Sequence, residues 1–497
     1  MPIRRWPAGL ALCLLLAACG TPVVNPVTGQ AERTVMSEAD ELAQGRQAHA
    51  QVLAEYGAYA NPRLQAYVDA LGQKLAKQSH RSQLPWTFTV LDSPELNAFA
   101  LPGGYVYVTR GLMAHLDSEA ELAGVVGHEI GHVTARHGAQ RATRQQAAGL
   151  GVLAATVLGA VLEGRGVSGA TDIASQVSQG VAAGYIASYS REQELQADQL
   201  GAEYLARNRY DPQNMVDVIG VLQNQERFAA DRARAEGRAA PAGANWLSSH
   251  PSNDRRLADI RQIAAGYPGP YGDDGRTRYL QAIDGLSYGD GRAQGVTRGR
   301  NFYHEDLGIA LTAPPGWRVQ NSAEAIALVS AAGDAALVLR LLPASAGSNH
   351  DEIIRTLVQP VDGRTERRSL NGLAATHFNG TRRNAQGQAQ PVRVTVVTGP
   401  ANRHYLLQYA ARDAATLQRA LAPLAEAETS FRALTGADRA AARPWVLKTV
   451  ALPRGGFAEL ARSSPLPAPA EGQLRLINGL YGSAAEPQPG QLVKVVQ

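Results

Sequence analysis

The stretch that most constrains this chain is His128-Glu129-Ile130-Gly131-His132, a His-Glu-x-x-His motif. On a helix, residues four positions apart share a face, so the two imidazoles can bind one Zn²⁺. The glutamate beside them can then take a proton from a water at the metal. The alternative is a chance match on a surface helix, and a third ligand downstream would distinguish the two interpretations.

The sequence around the motif predicts a helix with one crowded face. Ser118 and Glu121 have the spacing of a capping box, which predicts that the helix starts there. On a helical wheel, Gly124 and Gly131 fall beside the histidines. Glycine inside a helix costs about 1 kcal/mol relative to alanine. Close packing against a metal site is one reason for these positions to stay small.

A later helix is predicted to supply acidic residues. Ser190 and Gln193 again have capping-box spacing, and Glu194 and Asp198 follow on one face, where like charges repel slightly. A cation between this face and the histidines turns that repulsion into attraction, with Glu194 as a ligand and Asp198 holding a ligand histidine. Without the motif, a solvated acidic face would be the preferred interpretation.

His250 follows an Ala-, Arg- and Gly-rich segment, residues 227–244, which predicts a mobile surface loop. Pro251 favours an extended backbone there, with a helix from about Asn253. Such a loop can carry His250 to the metal, although a lone histidine is usually polar surface. The spacing leaves both interpretations open.

Short strands are predicted before the motif, and their alternation of residue types supports the assignment. They are Trp86–Val90, the segment from Asn97, Ala98, Phe99 and Ala100 to Gly104, and Tyr105–Thr109. The Asn97 strand can bind a substrate peptide by β-augmentation, or it can be an ordinary hairpin that supports the helix. The sequence favours neither.

The N-terminus has the pattern of a cleaved signal peptide, residues 1–18. Arg4 and Arg5 precede an apolar run that is too short to span a membrane. The ending Leu16-Ala17-Ala18-Cys19-Gly20 resembles the bacterial lipobox, which implies acylation of Cys19 and, with Gly20, sorting to the outer membrane. The alternative is an ordinary cleavage site. Residues 19–36 are predicted to be an extended tether.

Composition excludes some classes of protein. The net charge is +4 in 497 residues, and no basic cluster with interleaved aromatics indicates nucleic acid. Of two cysteines, one lies in the leader, so no disulfide is expected. The apolar segment 147–162 is short for a membrane span and is predicted to be buried or to rest on a membrane surface, with a transmembrane helix as the alternative.

The sequence divides into further units after the peptidase-like region, residues 37–265. A Gly- and Pro-rich linker is predicted at 266–300, a small α+β domain at 301–435, and a short third unit at 443–497. In that unit, Phe457–Ala461, Leu474–Leu480 and Pro489–Val495 resemble a degenerate LysM module, a peptidoglycan-binding fold. A Pro-rich insertion and a missing Gly-Asp-Thr turn depart from the LysM pattern.

Together, these motifs resemble the gluzincin metalloendopeptidases of the HtpX and CAAX prenyl protease superfamily, and most of all the periplasmic BepA-like lipoprotein proteases. The matching stretches are Asn97–Gly104, His128–His132, Ser190–Asp198, and His250-Pro251 with Arg256. The resemblance implies His128, His132 and Glu194 as zinc ligands and Glu129 as general base. Asp198 and Arg256 are implied to contact the ligand residues rather than the metal. It also implies that His250 overhangs the metal, either capping it or donating to the oxyanion. The 34-residue tetratricopeptide pattern of BepA itself is not found here.

The sequence therefore predicts an α+β chain: a mainly helical zincin-type domain with a small sheet, a small α+β domain, and a LysM-like unit. We expect one Zn²⁺ per chain and cleavage of misfolded or misassembled envelope proteins at the periplasmic face of the outer membrane. Expected partners are a membrane, through lipidated Cys19, and peptidoglycan or an envelope assembly machine, through the last unit. The rivals are a binding protein with a structural metal, and a peptidoglycan hydrolase.

Overall fold

A computed structural model describes most of the chain, which divides into two compact units. One unit contains the described residues up to Leu286 together with Val446–Gln497, and the other is Ser287–Trp445. The leader, Cys19 and segment 147–162 lie outside the described residues. The described residues are 21–143, 189–235, 237, 246, 250, 254–321, 325–383, 389–483 and 486–497.

The first unit contains a small sheet surrounded by helices. Its elements are β1 (Thr21–Val24), β2 (Ala31–Thr34), α1 (Glu38–Tyr56), α2 (Pro62–Ala76), β3 (Thr87–Leu91), β4 (Ala98–Leu101), β5 (Tyr105–Thr109), α3 (Arg110–His115), α4 (Glu119–Thr134), α5 (Arg191–Arg207), α6 (Gln213–Ala235), α7 (Asp254–Ala265) and α8 (Arg276–Ile283). No described helix is both long and apolar enough to cross a membrane.

The predicted tether is folded from residue 21 onward. Strands β1 and β2 pair as an antiparallel hairpin. Asn25 closes the bend, because its Oδ1 accepts the backbone N–H groups of Val27 and Thr28 at 2.9 Å and 3.3 Å. An asparagine side chain that bonds the backbone two residues on is a common way to build a turn. Over these residues the segment predicted as an extended tether is a pair of extended strands closed by a turn.

The three strands before the motif form the sheet β3-β5-β4. β3 runs parallel to β5, and β4 pairs with β5 antiparallel, so the predicted strand pair is confirmed. Gly103 and Gly104 in the connection have φ of 84° and 97°, a left-handed backbone that glycine adopts without strain. β4 lies at the edge of this sheet and packs against α4.

Helices α4 and α5 pack closely, and glycine permits it. A Cβ added at Gly131 would lie 2.8 Å from the carbonyl oxygen of Ala197 on α5. One added at Gly201 on α5 would lie 3.1 Å from the backbone nitrogen of His128. Gly124 instead faces Met215 at the start of α6. The small positions therefore bring together the two helices that carry the predicted ligands.

Helix starts follow the predictions with one difference. Ser118 accepts the N–H of Glu121, but the Glu121 carboxylate accepts the backbone N–H of Asp117 rather than completing a capping box. Ser190 and Gln193 form both halves of a capping box.

Residues 227–235, predicted as loop, are the last turns of α6, because alanine and arginine favour helix strongly. α7 starts at Asp254, as predicted to within a residue.

Within the segment predicted as linker, α8 is a packed helix whose Tyr279, Leu280 and Ile283 are buried. The hydroxyl of Tyr279 donates to the carbonyl of Met113 at 2.6 Å. A linker rich in glycine and proline would bury no such side chains, so the segment is part of the first unit up to Leu286.

The second unit is built on a seven-stranded antiparallel sheet in the order β10-β11-β12-β16-β15-β14-β13 and a four-stranded sheet in the order β17-β9-β8-β7. Helix α10 covers one face of the large sheet, and the turns around Ile353 and Ile354 cover the other. The elements are β6 (Ser287–Tyr288), β7 (Val296–Arg298), β8 (Asn301–His304), β9 (Ile309–Thr312), β10 (Arg318–Asn321), β11 (Ile326–Val329), β12 (Ala335–Leu341), α9 (His350–Ile353), β13 (Pro360–Leu370), β14 (Leu373–Arg383), β15 (Ala389–Thr398), β16 (His404–Ala411), α10 (Ala414–Thr429), β17 (Arg432–Ala433) and α11 (Gly436–Ala441).

The C-terminal segment runs strand, helix, helix, strand: β18 (Trp445–Ala451), α12 (Gly456–Ser463), α13 (Ala470–Ile477) and β19 (Leu492–Val496). β18 and β19 pair antiparallel. Lys494 of β19 is fully buried, and its ammonium contacts the carbonyl of Leu116 at 2.6 Å and the carboxylate of Asp117 at 2.9 Å. These residues immediately precede α4, so the last strand supports the start of the motif helix.

Candidate metal centre

Four buried side chains direct donor atoms toward one point. They are the two motif histidines on α4, Glu194 in the first turn of α5, and His250, and their donor atoms all lie within 4.8 Å of one another. Nε2 of His128 is 3.0 Å from Nε2 of His132 and 3.3 Å from Nδ1 of His250. The Glu194 carboxylate oxygens lie 3.6 Å and 3.5 Å from the same nitrogens of His128 and His132. Glu194 Oε1 also lies 3.0 Å from Nδ1 of His250.

These separations fit a metal ion at the centre. A tetrahedral zinc with bonds of about 2.0–2.1 Å sets neighbouring donor atoms roughly 3.3–3.4 Å apart, and the distances here bracket that value. Burial, reinforced by the neighbouring histidines, lowers the pKa of His132, so its imidazole is neutral and can offer a lone pair. Imidazole nitrogens with one carboxylate oxygen are donors that suit zinc.

The two ligand helices position their donors by regular geometry. On α4, His128 and His132 are one turn apart, and both are at most 1% exposed. On α5, Glu194 occupies the first turn directly after the Ser190 cap, and the close contact at Gly131 brings that turn beside the histidines. Tyr189, just before the cap, stacks on the ring of His132 with centroids 3.9 Å apart.

Asp198 and Arg256 contact the donor residues on the side away from the centre. Asp198 Oδ1 is 2.9 Å from Nδ1 of His128, which directs the other nitrogen of that ring to the centre. Arg256 from α7 donates to both carboxylate oxygens of Asp198 at 2.9 Å, and its NH1 is 2.7 Å from Glu194 Oε2. Burial raises the pKa of Asp198, but Arg256 and His128 outweigh it and lower the pKa to about 2.

The carboxylate of Glu129 lies beside the four donors and is fully buried. Its Oε1 accepts the indole N–H of Trp246 at 3.0 Å and is 3.5 Å from Nε2 of His250. Its Oε2 has no hydrogen-bond partner among the described residues. Since a buried charged oxygen without a partner is costly, this atom is available to take a proton in a reaction.

His250 is held at the centre by two hydrogen bonds of its backbone. Its backbone N–H donates to the carbonyl of Trp246, and its carbonyl accepts from Arg256 NH1 at 3.0 Å. Burial lowers the pKa of His250, but the carboxylates of Glu194 and Glu129 more than offset this, so the pKa is raised overall. With Nδ1 among the donor atoms, His250 is the fourth side chain of the cluster.

The other predicted site residues lie where the sequence suggested or outside the described chain. Asn97 precedes β4, and Ala98, Phe99 and Ala100 lie on it, at the sheet edge beside α4. The N–H of Trp246 donates to the carbonyl of Leu96, so Trp246 is held at the start of this edge. Cys19 is outside the described residues.

Two contacts near the metal site were not predicted. The indole N–H of Trp246 donates to Oε1 of Glu129, a contact between residues 117 positions apart that no local pattern indicates. His137 contacts His132 through Nδ1 at 2.9 Å, and it follows Arg136, whose φ of 57° reverses the chain after α4. Helical periodicity from the motif does not extend across such a reversal, although a third histidine five residues after His132 was a visible signal.

Comparison with known proteins supports the same chemistry. Residues 62–264 match the family model for Peptidase family M48. This region is an M48 peptidase domain. It contains all four donor residues and Glu129, and it is a metalloprotease domain by family.

Relatives of the M48 domain are proteases as well. The chain is 30% identical over 243 residues to the beta-barrel assembly-enhancing protease of Yersinia pestis, covering 48% of this chain and 47% of that protein. It is 29% identical over 252 residues to the protein of that name from Escherichia coli, covering 50% and 47%. Mitochondrial metalloendopeptidase OMA1 of Schizosaccharomyces pombe is 29% identical over 226 residues, covering 45% and 60%. The chain thus spans about half the length of the bacterial relatives it matches.

A solved structure of LpqN, involved in cell envelope biogenesis of Mycobacterium tuberculosis, is similar with a TM-score of 0.20 and 15% identity, over 26% of this chain and 83% of that one. A likeness this low supports no inference about the chain.

Proposed function

We propose that this chain is a zinc-dependent endopeptidase of the cell envelope, held at a membrane by lipidated Cys19, and that His250 closes its metal site at rest. The observation that carries the proposal is the convergence of His128, His132 and Glu194 within tetrahedral spacing, beside a glutamate with an unpartnered oxygen. Zinc, when bound, would polarise a peptide carbonyl and make water easier to deprotonate.

The chain's own residues then divide the remaining work. Glu129 Oε2 takes the proton of the attacking water and passes it to the leaving amine nitrogen. The indole of Trp246 holds Glu129 Oε1, which leaves Oε2 oriented for the transfer. Asp198 and Arg256 fix His128 and Glu194, so that the donor atoms do not have to reorganise during the reaction.

A substrate peptide is proposed to add to the free edge of β4, next to the helix that carries the metal ligands. The buried Oδ1 of Asn97 has no hydrogen-bond partner among the described residues and is an acceptor available at the start of that edge. The hydrogen bond from the N–H of Trp246 to the carbonyl of Leu96 occupies the same place. Pairing of a substrate at the start of this edge therefore requires that Trp246 release Leu96.

The substrate class and location are proposed from the relatives. Two of them carry the name beta-barrel assembly-enhancing protease, which supports misfolded or misassembled envelope proteins as substrates and the periplasmic face of the outer membrane as the location. A binding protein with a structural metal is the rival, since four protein donors also describe a closed structural site. The unpartnered Oε2 of Glu129 supports the enzyme over this rival, because a structural site has no use for a free carboxylate oxygen.

The experiment compares three forms of the full chain on an unfolded protein substrate. With His250→Ala, we expect faster cleavage than wild type, because the fourth position opens to water. With Glu129→Gln, we expect cleavage to fall by several orders of magnitude while bound zinc stays at one per chain, because Glu129 is not a ligand. A structural metal would leave all three forms inactive, and slower cleavage by His250→Ala would instead assign that residue to the oxyanion.

The C-terminal segment, residues 443–497, is proposed to be a LysM-like module. The order strand, helix, helix, strand with antiparallel pairing of β18 and β19 supports this. Its burial of Lys494 against Asp117 supports an additional structural role for the module beneath α4. The full chain should co-sediment with purified peptidoglycan if the module binds glycan. A chain that stays in the supernatant would limit the module to the structural role.

A further inference from the structure

The second ring nitrogen of His132 starts a chain of hydrogen bonds that leads away from the metal site. Nδ1 of His132 lies 2.9 Å from Nδ1 of His137. Nε2 of His137 lies 3.0 Å from Oε1 of Gln196, and the same oxygen accepts Nδ2 of Asn25 at 3.0 Å. None of the four residues is more than 7% exposed. The chain therefore connects the N-terminal hairpin to a metal ligand through buried contacts only.

The direction of each bond follows from the chemistry of the donors. A histidine that offers Nε2 to a metal carries its hydrogen on Nδ1, so His132 donates to His137. His137 accepts with Nδ1 and therefore carries its own hydrogen on Nε2, which it donates to Gln196. The carbonyl oxygen of Gln196 has two lone pairs and accepts both His137 and Asn25. Each of these three hydrogen bonds then has one donor and one acceptor, with both imidazoles neutral.

The backbone around these residues holds them in place. The left-handed residue Arg136 turns the chain back under α4, and its guanidinium bonds Glu41 and the carbonyl of Met36 on the start of α1. Gln196 lies on α5, between Glu194 and Asp198 in sequence. Asn25 is fixed by its own turn, in which Oδ1 accepts two backbone N–H groups and Nδ2 is directed to Gln196.

We propose that His137, Gln196 and Asn25, which together form a hydrogen-bonded relay, position the metal ligand His132. The N-terminal hairpin thereby helps to orient a ligand of the metal centre. The inference rests on the proposed metal site. Asp198 orients His128 through a charged carboxylate, whereas the relay orients His132 without a charge. The relay also reaches a segment that begins only a few residues after Cys19.

The test measures zinc affinity of the full chain by competition with a chromophoric chelator. His137→Ala should weaken zinc binding about 10- to 100-fold, the usual effect of removing a partner of a metal ligand. His137→Gln keeps an acceptor for His132 and a donor for Gln196, and should restore much of that loss. Asn25→Ala, at the far end, should weaken binding about threefold to tenfold, the effect of one hydrogen bond. Thr28→Ala in the same hairpin is the matched control and should bind zinc as wild type does.

Each outcome bears on the relay. Equal affinity of wild type, His137→Ala and Asn25→Ala would overturn it. Equal loss in Asn25→Ala and Thr28→Ala would reduce the effect to hairpin stability and overturn it as well. If His137→Ala does not fold, as judged by circular dichroism, His137→Gln and Asn25→Ala carry the test. Failure of wild type to bind zinc would refute the proposed function itself, whereas zinc bound equally by all variants refutes only the relay.

Discussion

Replacing Gly131 with alanine tests whether the close approach of α4 and α5 builds the metal site. The added Cβ would lie 2.8 Å from the carbonyl oxygen and 3.0 Å from the Cα of Ala197. Both atoms belong to the backbone of α5, so no side-chain rotation can relieve the contact. The helices must separate by roughly half an ångström, and this moves Glu194, one turn before Ala197, away from the histidines.

The expected magnitude combines two opposing effects. Overpacking a close contact costs about 1–3 kcal/mol, while alanine in place of glycine within a helix gains about 1 kcal/mol. The free energy of unfolding should therefore fall by about 0–2 kcal/mol. Gly220 on α6 is the matched control, because an added Cβ there meets nothing within 4 Å. Gly220→Ala should gain up to about 1 kcal/mol.

The assay is thermal unfolding of each variant with and without zinc, followed by chelator competition for the metal. At about 2.1 cal/mol/K of unfolding entropy per residue, 1 kcal/mol corresponds to roughly 1–2 °C in Tm for a chain of 497 residues. Gly131→Ala should unfold at a lower temperature than Gly220→Ala and bind zinc more weakly than wild type. Equal Tm for the two variants, with zinc affinity unchanged in both, would refute the argument that helix proximity at Gly131 sets the ligand geometry.

Two further predictions concern groups outside the four donors. Burial, with Asp117 nearby, raises the pKa of Glu121 to about 8, so the folded chain keeps a proton that the unfolded chain releases near its ordinary pKa. The stability that this group contributes is complete below the unfolded pKa and is lost as pH rises toward 8, by at most about 1.4 kcal/mol per pH unit. Glu121→Gln should reduce the fall in the free energy of unfolding between pH 5 and 8, measured at equal metal loading. The same dependence on pH in wild type and variant would contradict this. Arg256→Lys replaces a two-pronged donor with a single ammonium, so it cannot hold both oxygens of Asp198 and Glu194 together. Zinc affinity should fall about 10- to 100-fold, and an unchanged value would remove Arg256 from the support of the site.

The sequence predicted the parts of the site that depend on local periodicity. His128 and His132 share a helix face, as do Glu194 and Asp198, because a spacing of four is a property of the helix alone. The caps at Ser118 and Ser190 were visible for the same reason. Spacing left the involvement of His250 open, because no local sequence pattern indicates where a residue that follows a 23-residue helix will lie in the fold.

What the sequence did not predict depends on contacts between distant segments. Asn25 was assigned to a tether. Its hydrogen-bond partner Gln196 is 171 residues away, and this contact holds the hairpin against α5. Lys494 is a single lysine within the apolar strand Leu492–Val496, and a lysine ordinarily reaches water, but here its ammonium is buried against Leu116 and Asp117. The turn after α4 depends on the left-handed residue Arg136, and arginine does not indicate that conformation as glycine, asparagine or aspartate does.

The central claim is that two imidazoles and the Glu194 carboxylate bind one metal ion, with His250 as the fourth donor at rest. X-ray absorption of the zinc-loaded chain, with metal content measured on the same sample, tests it most directly. We predict one zinc per chain with three imidazoles and one carboxylate oxygen, and loss of one imidazole in His250→Ala. A chain that binds no zinc, or zinc that lacks the histidine pair, would contradict the account.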